Sequence, residues 1–219
     1  MNYLYFDTVV IGTGAAGYNA AGEIKKLCDK SVCIVTEGVS TGTSRNTGSD
    51  KQTYYKLSLC GSDGDSVREM ADTLYSGGGV MGEHALAEAA YSVRCFMRLV
   101  ELGVPFPTNE YGEYAGYKTD HDPRTRATSC GPLTSKYMTE ALERSVLAKG
   151  IEIVDFQRVI RILTENGRVT GLACAIGARV GIFNVGGEGQ LYLGAIVSAY
   201  IGVVLKDQSP WLVIPAAAL

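Results

Sequence analysis

Three glycines and one carboxylate near the start of the chain could together hold a phosphate and a ribose. Gly12-Thr13-Gly14-Ala15-Ala16-Gly17 has the spacing G-x-G-x-x-G, and Glu37 stands twenty positions after Gly17. Gly12 permits a tight turn. Gly14 lets backbone come close to a pyrophosphate, and Gly17 lets a following helix pack against the preceding strand. The free N–H groups and the positive end of that helix suit a phosphate. A carboxylate at Glu37 can accept from both hydroxyls of an adenosine ribose, and it would repel a 2′-phosphate. The motif alone does not separate FAD from NAD. A glycine-rich turn in an ordinary βαβ unit is the plainer alternative.

Two further stretches carry polar chemistry. Gly38 to Gly48, GVSTGTSRNTG, is rich in glycine and hydroxyls and has no periodicity. It reads as a long loop, either a surface connection or a second ligand-binding loop that continues from the ribose acid. The segment from Lys118 to Arg126 holds Lys118, Asp120, His121, Asp122, Arg124 and Arg126. It suits a solvated loop, or a site for an anionic ligand with His121 as a proton or hydrogen-bond donor.

The elements that must position these residues follow from pattern. Asp7–Ile11 is a short apolar run and Ala15–Leu27 a helix. Ser31–Thr36 is a second strand ending on the acid. Ser66 and Glu69 have capping-box spacing at the start of a helix that stops at Gly77-Gly78-Gly79. A longer helix is expected over Glu83–Leu102, with Leu86, Ala89, Ala90, Val93, Phe96, Met97 and Val100 on its apolar face. Another follows Pro132 to about Lys149, burying Leu133, Tyr137, Ala141, Val146 and Leu147. Asn166-Gly167 between two apolar runs is a hairpin signal. Ile182–Val185, Gln190–Leu193, Ile196–Leu205 and Trp211–Ile214 could each be strand.

Composition narrows the function classes. The chain has 219 residues, 46% hydrophobic and 20% charged, with a net charge of −3. That is ordinary for a soluble globular protein and gives no basic footprint for nucleic acid. Six scattered cysteines form no CxxC, so reduced thiols in a cytoplasmic protein are expected, with no metal site. No signal peptide is visible. Leu191–Leu205 is apolar but only about fifteen residues long, short of a membrane span.

Five features in order resemble the N-terminal part of the FAD-dependent succinate dehydrogenase, fumarate reductase and aspartate oxidase flavoprotein family. They are VVIGTGAAG with Glu37; the TGTSRNTG loop; the helical stretch closing on ELGVPF; KTDHDPRTRATSCGPLTSKYMTEALERSV; and the meander GIEIVDFQRVIRILTENGRVTGLACA. The resemblance covers residues 3 to about 177 and favours FAD over NAD. It implies an α/β fold: a Rossmann-like domain with a parallel sheet, helices and a β-meander over residues 1–177. Residues 178–219 form an atypical tail. Gly12, Gly14, Ala15, Ala16 and Gly17 would hold the FAD pyrophosphate, and Glu37 the adenosine ribose. Ser44, Asn46, Thr47 and Gly48 would run beside the ribityl chain and flavin ring, and Val159 would meet the adenine by its backbone. Some members attach FAD through a histidine. Ser44 is the nearest matching position here, so non-covalent FAD is expected. Lys118, His121, Arg124 and Arg126 are the candidates for a carboxylate-bearing substrate.

The chain also departs from that family. No alanine-threonine-glycine-glycine turn occurs, and the capping domain with its substrate histidines and proton-donating arginine is missing. The expectation is therefore the cofactor half of an oxidoreductase that exchanges a hydride beside a carboxylate. A partner chain supplying the rest would complete it. The alternatives are a truncated remnant or nucleotide-binding module without turnover, and the NAD-binding domain of a simple dehydrogenase.

Overall fold

The computed structural model describes residues 3–47, 52–61, 64–119 and 122–176. Gly48 and His121 lie outside the described residues, as do the tail expected over 178–219 and all its candidate strands.

β1 (Thr8–Ile11), β2 (Val32–Val35) and β5 (Glu152–Val154) form a parallel sheet in the order β1-β2-β5. Thr8 to Ile11 pair in register with Val32 to Val35, and Cys33 to Val35 with Glu152 to Val154. β2 is buried at every position, as a central strand must be, and its Val-Cys-Ile-Val sequence suits burial on both faces. β1 alternates between half-buried and exposed residues, because successive side chains point to opposite faces and Val10 packs on the core while Val9 and Ile11 do not.

α1 (Ala15–Leu27) leaves the end of β1 and packs back on the sheet, over the span its periodicity predicts. Gly17 is what allows this. A Cβ there would sit 2.1 Å from the Gly12 carbonyl oxygen. One core joins α1, the sheet, α4 (Gly82–Glu101) and α5 (Thr134–Ala148) around Tyr18, Ile34, Phe96, Leu142 and Val146. Phe96 lies 4.7 Å from Phe106 and 5.1 Å from Tyr114 between ring centroids. Such pairs contribute about 0.5–1.5 kcal/mol each beyond their buried area. A smaller core of Met70, Ala71, Ala85 and Ala89 joins α3 (Val67–Ser76) to α4.

The buried faces match those expected in part: Ala89, Phe96, Ala141 and Val146 are buried, and Met97, Val100 and Tyr137 pack against the core. On α4 the buried stripe is Ala85, Ala89, Ser92, Phe96 and Leu99, while Leu86 is 49% exposed and Ala90 is exposed. The small residues meet α3 closely, which rotates the helix away from its most apolar face. On α5, Leu133 and Leu147 are exposed, and Thr134, Thr139 and Leu142 are buried with Ala141 and Val146. The buried threonines have polar partners, which no hydrophobic pattern registers.

The Ser66 cap forms, accepting from the Glu69 N–H at 3.2 Å. The reciprocal half of the capping box does not. The Ser66 N–H donates to Asp65, and the Glu69 carboxylate goes to Arg124 instead. Two short strands, β3 (Tyr54–Tyr55) and β4 (Ala127–Thr128), pair antiparallel and were not expected, since two residues carry no period. The hairpin did form. β6 (Gln157–Glu165) and β7 (Arg168–Ile176) are antiparallel around Asn166 and Gly167, both at positive φ.

Among the described residues, no helix is long and apolar enough to cross a membrane and no cluster of side chains could hold a metal ion.

Candidate functional site

The carboxyl ends of β1 and β2 converge on one cavity of about 460 Å³, within the range usual for small-molecule sites. Gly12, Gly14, Glu37, Ser44 and Val159 line it, with Thr13, Thr36 and Gln157 between them. Sequence positions from four separate stretches are thus brought to one place.

The glycine turn forms its floor. The Gly12 N–H donates to the Val35 carbonyl at 2.8 Å, so the sheet runs up to the turn, and Gly12 then takes φ +97°. Gly14 is the N-cap of α1, and no side chain caps that end. The N–H groups of the first turn are therefore left for a ligand or water. No acidic residue stands in that turn to repel an anion. Below the turn, the buried hydroxyls of Thr13 and Thr36 meet at 2.9 Å and tie it to the end of β2.

Glu37 is exposed on the rim. Its carboxylate pairs with the Arg158 guanidinium at 3.0 Å. Both side chains are largely in water, so the pair is worth about 0–1 kcal/mol and is readily exchanged for other partners. β6 reaches the rim because the Gln157 N–H donates to the Thr36 carbonyl at 2.8 Å, and the Asp155 carboxylate accepts from the Val39 N–H at 3.1 Å. These contacts place Val159 at the cavity wall. Arg158, which sequence reasoning did not single out, comes with it.

The hydroxyl-rich stretch is not the continuous loop its composition suggested. It contains a one-turn helix, α2 (Thr43–Asn46), which crosses above the glycine turn. The Ser44 hydroxyl lies 3.4 Å from the place a Gly14 Cβ would occupy. Asn46 donates to the Ser40 and Gly42 carbonyls, and the Thr47 hydroxyl to the Thr43 carbonyl. The amide of Asn46 thus shapes the segment.

The basic cluster behaves differently. Arg126 is fully buried; its Nε and Nη2 donate to the two Asp65 oxygens at 2.9 and 2.7 Å. Its Nη1 reaches Tyr55, Thr73 and Asp122. Burial works against the charge, but Asp65 and Tyr55 outweigh it and hold the guanidinium above its ordinary pKa. Arg124 pairs with Glu69 at 2.8 Å. These two arginines join the 122–128 stretch to α3, and Arg126 is held in this buried pair. Lys118 is exposed. None of the three lines the cavity at the glycine turn.

Comparison with known proteins bears on what this cavity holds. Residues 7–190 match a family model described as an FAD binding domain. An L-aspartate oxidase of Agrobacterium fabrum is 27% identical over 91% of this chain, and one of Streptomyces coelicolor is 26% identical over 90%. The chain spans 41% and 33% of the lengths of those two relatives. Among solved structures, Mycobacterium smegmatis Sdh1 superposes with a TM-score of 0.69 at 16% identity, covering 77% of this chain and 30% of that one. An E. coli quinol fumarate reductase gives 0.68 at 17% identity, covering 80% and 30%. A 3-ketosteroid dehydrogenase of Rhodococcus jostii gives 0.65 at 20%, covering 80% and 43%. At these identities the structural likenesses speak for the fold. The family match spans most of the chain, and with it the chain belongs to the FAD binding domain family.

Proposed function

We propose that the cavity above the glycine turn binds the adenosine and pyrophosphate of FAD, non-covalently, as the cofactor half of a flavin-dependent oxidoreductase. The observation that carries this is the uncapped N-terminus of α1 opening into the same cavity as Glu37. The first-turn N–H groups of Ala15, Ala16 and Gly17 would face the pyrophosphate, and Glu37 would accept from the ribose hydroxyls. Val159 would border the adenine. Ser44, Asn46, Thr47 and Gly48 would border the chain leading to the flavin ring. Ser44 is the position nearest to the histidine that attaches FAD in some members of the family this chain resembles, and a serine hydroxyl would offer no such attachment.

FAD, when bound, supplies hydride exchange with a substrate. The chain's own contribution is to bind and orient: backbone donors on the phosphates, one carboxylate on the ribose. A substrate bearing a carboxylate beside the reacting carbon–carbon bond is the class proposed for the whole enzyme. The cationic groups for it would come from elsewhere in the polypeptide or from a partner chain. A second reading, nucleotide binding without turnover, is favoured by the commitment of Arg126 to Asp65 and of Arg124 to Glu69.

The test is the absorbance spectrum of the purified chain before and after adding FAD, with NAD as control. Bound-flavin bands that are lost on denaturation and absent in Gly14→Val support the reading. A chain that binds neither FAD nor NAD overturns it. A fumarate assay with reduced viologen separates the two readings, since steady turnover would exclude binding alone.

A further inference from the structure

The segment that crosses the glycine turn is fixed by one face of one helix. Three residues of α5, spaced four apart, each hold a different part of it. The Ser135 N–H donates to the Gln52 side-chain oxygen at 3.0 Å, and the Gln52 amide donates in turn to the Thr47 carbonyl at 2.6 Å. The Thr139 hydroxyl, fully buried, lies 3.0 Å from the Ser44 carbonyl and 2.7 Å from the Ser135 carbonyl of its own helix, so its one proton is shared between the two. The Glu143 carboxylate receives the Arg45 guanidinium, with both side chains four-fifths or more buried. Residues at i, i+4 and i+8 lie along one side of a helix. α5 therefore acts as a ruler along which residues 44, 45 and 47 are set.

The Arg45–Glu143 pair is the charged station of the three. Arg45 leaves the α2 turn and runs down between α1 and α5. Its Nε and the hydroxyl of Tyr18 on α1 are both buried beside one another, neither with a full hydrogen bond among the described residues. Glu140 is 3.9 Å away, too far for a hydrogen bond. Glu143 makes the shortest contact and does most to fix the direction of this guanidinium, with Glu140 and Tyr18 beside it. The same helix packs on α1, whose N-terminus carries the glycine turn. One rigid pair of helices thus sets both the turn and the segment above it.

We infer that Glu143 and Arg45 are positioning residues for the flavin-side half of the ligand, acting through the 43–47 segment and not on the adenosine end. The inference rests on the proposed FAD reading. It makes a prediction that general destabilisation does not. ADP meets only the Ser44 end of the segment, which lines the same cavity as Gly14 and Glu37, and should depend on the pin weakly; FAD, which must also pass residues 45–47, should depend on it strongly.

The experiment is calorimetric titration of the full chain with FAD and with ADP, in wild type, Glu143→Gln and Thr139→Val. Glu143→Gln is expected to weaken FAD about ten- to a hundredfold, the range for a charged hydrogen bond, with ADP unchanged within about twofold. Thr139→Val should weaken FAD by less and likewise spare ADP. FAD and ADP affinities that fall together, or do not fall at all, overturn the inference. If Glu143→Gln does not fold, Thr139→Val decides by the same criterion. A wild-type chain that binds neither ligand refutes the FAD reading itself, which is a separate outcome.

Discussion

Arg126 and Asp65 meet as a two-pronged pair in which neither side chain is more than 1% exposed. Asp65 stands just before α3, and Arg126 just before β4. The pair therefore ties the helical layer to the small sheet. Arg126→Met would leave a buried carboxylate unpaired, at a cost of about 3–5 kcal/mol. Chemical denaturation followed by circular dichroism should show that loss. Replacing Lys118, which is exposed, should leave the midpoint unmoved.

The same pair sets an acid limit. Burial raises the Asp65 pKa, but Arg126 and the N–H groups of Ser58 and Ser66 outweigh it and hold it below its ordinary 3.8. The unfolded chain takes up that proton first as pH falls. The stabilisation is thus complete above 3.8 and disappears as pH drops through the folded value. Thermal unfolding between pH 5 and 2 should show a steep loss in wild type. Asp65→Asn should start lower at neutral pH and lose less over the same interval.

Gly17 and Gly14 should fail differently when replaced by alanine. A Cβ at Gly17 would be 2.1 Å from a carbonyl oxygen of the turn, so Gly17→Ala must push α1 off β1. The expected cost is about 1–3 kcal/mol or more, seen directly in the melting temperature. At Gly14 the nearest atom is the Ser44 hydroxyl at 3.4 Å, an ordinary contact. Gly14→Ala should melt close to wild type while weakening ADP, which a titration would record.

Lys56 is fully buried, 4.8 Å from the centre of the Phe96 ring, with the Leu57 carbonyl at 3.4 Å and, among the described residues, no carboxylate partner. Burial holds its pKa below the ordinary 10.5. The unfolded chain therefore binds more protons between the two values, and stability rises with pH across that window. Lys56→Met keeps the stem and removes the ammonium. It should gain about 1 kcal/mol at pH 7, offset in part by the lost attraction to the ring. An unchanged or lower melting temperature would contradict this.

Much of the site's address was legible in residues 7 to 37. Glycine spacing, a helix start and an acid after the next strand each have a local physical cause. Ala15–Leu27 and the Asn166-Gly167 hairpin came out as read for the same reason. What was not legible depended on partners far away in the chain. The burial of Thr139 needs the Ser44 carbonyl, and that of Arg126 needs Asp65. Neither partner is marked by a period or a motif. The carboxylate partners of Arg124 and Arg126 were not legible because a basic cluster reads the same whether its counter-charge is a ligand or a neighbouring carboxylate. The turn at Thr43–Asn46 was hidden because serine, threonine and asparagine favour loops until tertiary contacts hold them.

The three stations on α5 bear on how this chain can change over time. At Ser44 and Thr47 the contact with α5 runs through the backbone, because Thr139 and Gln52 reach their carbonyls, so α5 constrains their side chains less than it does Arg45. The count of residues from Ser135 to Glu143 cannot vary freely. Adding or deleting one there would turn the later stations by about 100° and carry Glu143 away from Arg45. Length variation among descendants of this sequence should therefore fall outside those nine positions, or arrive there only as a whole number of turns.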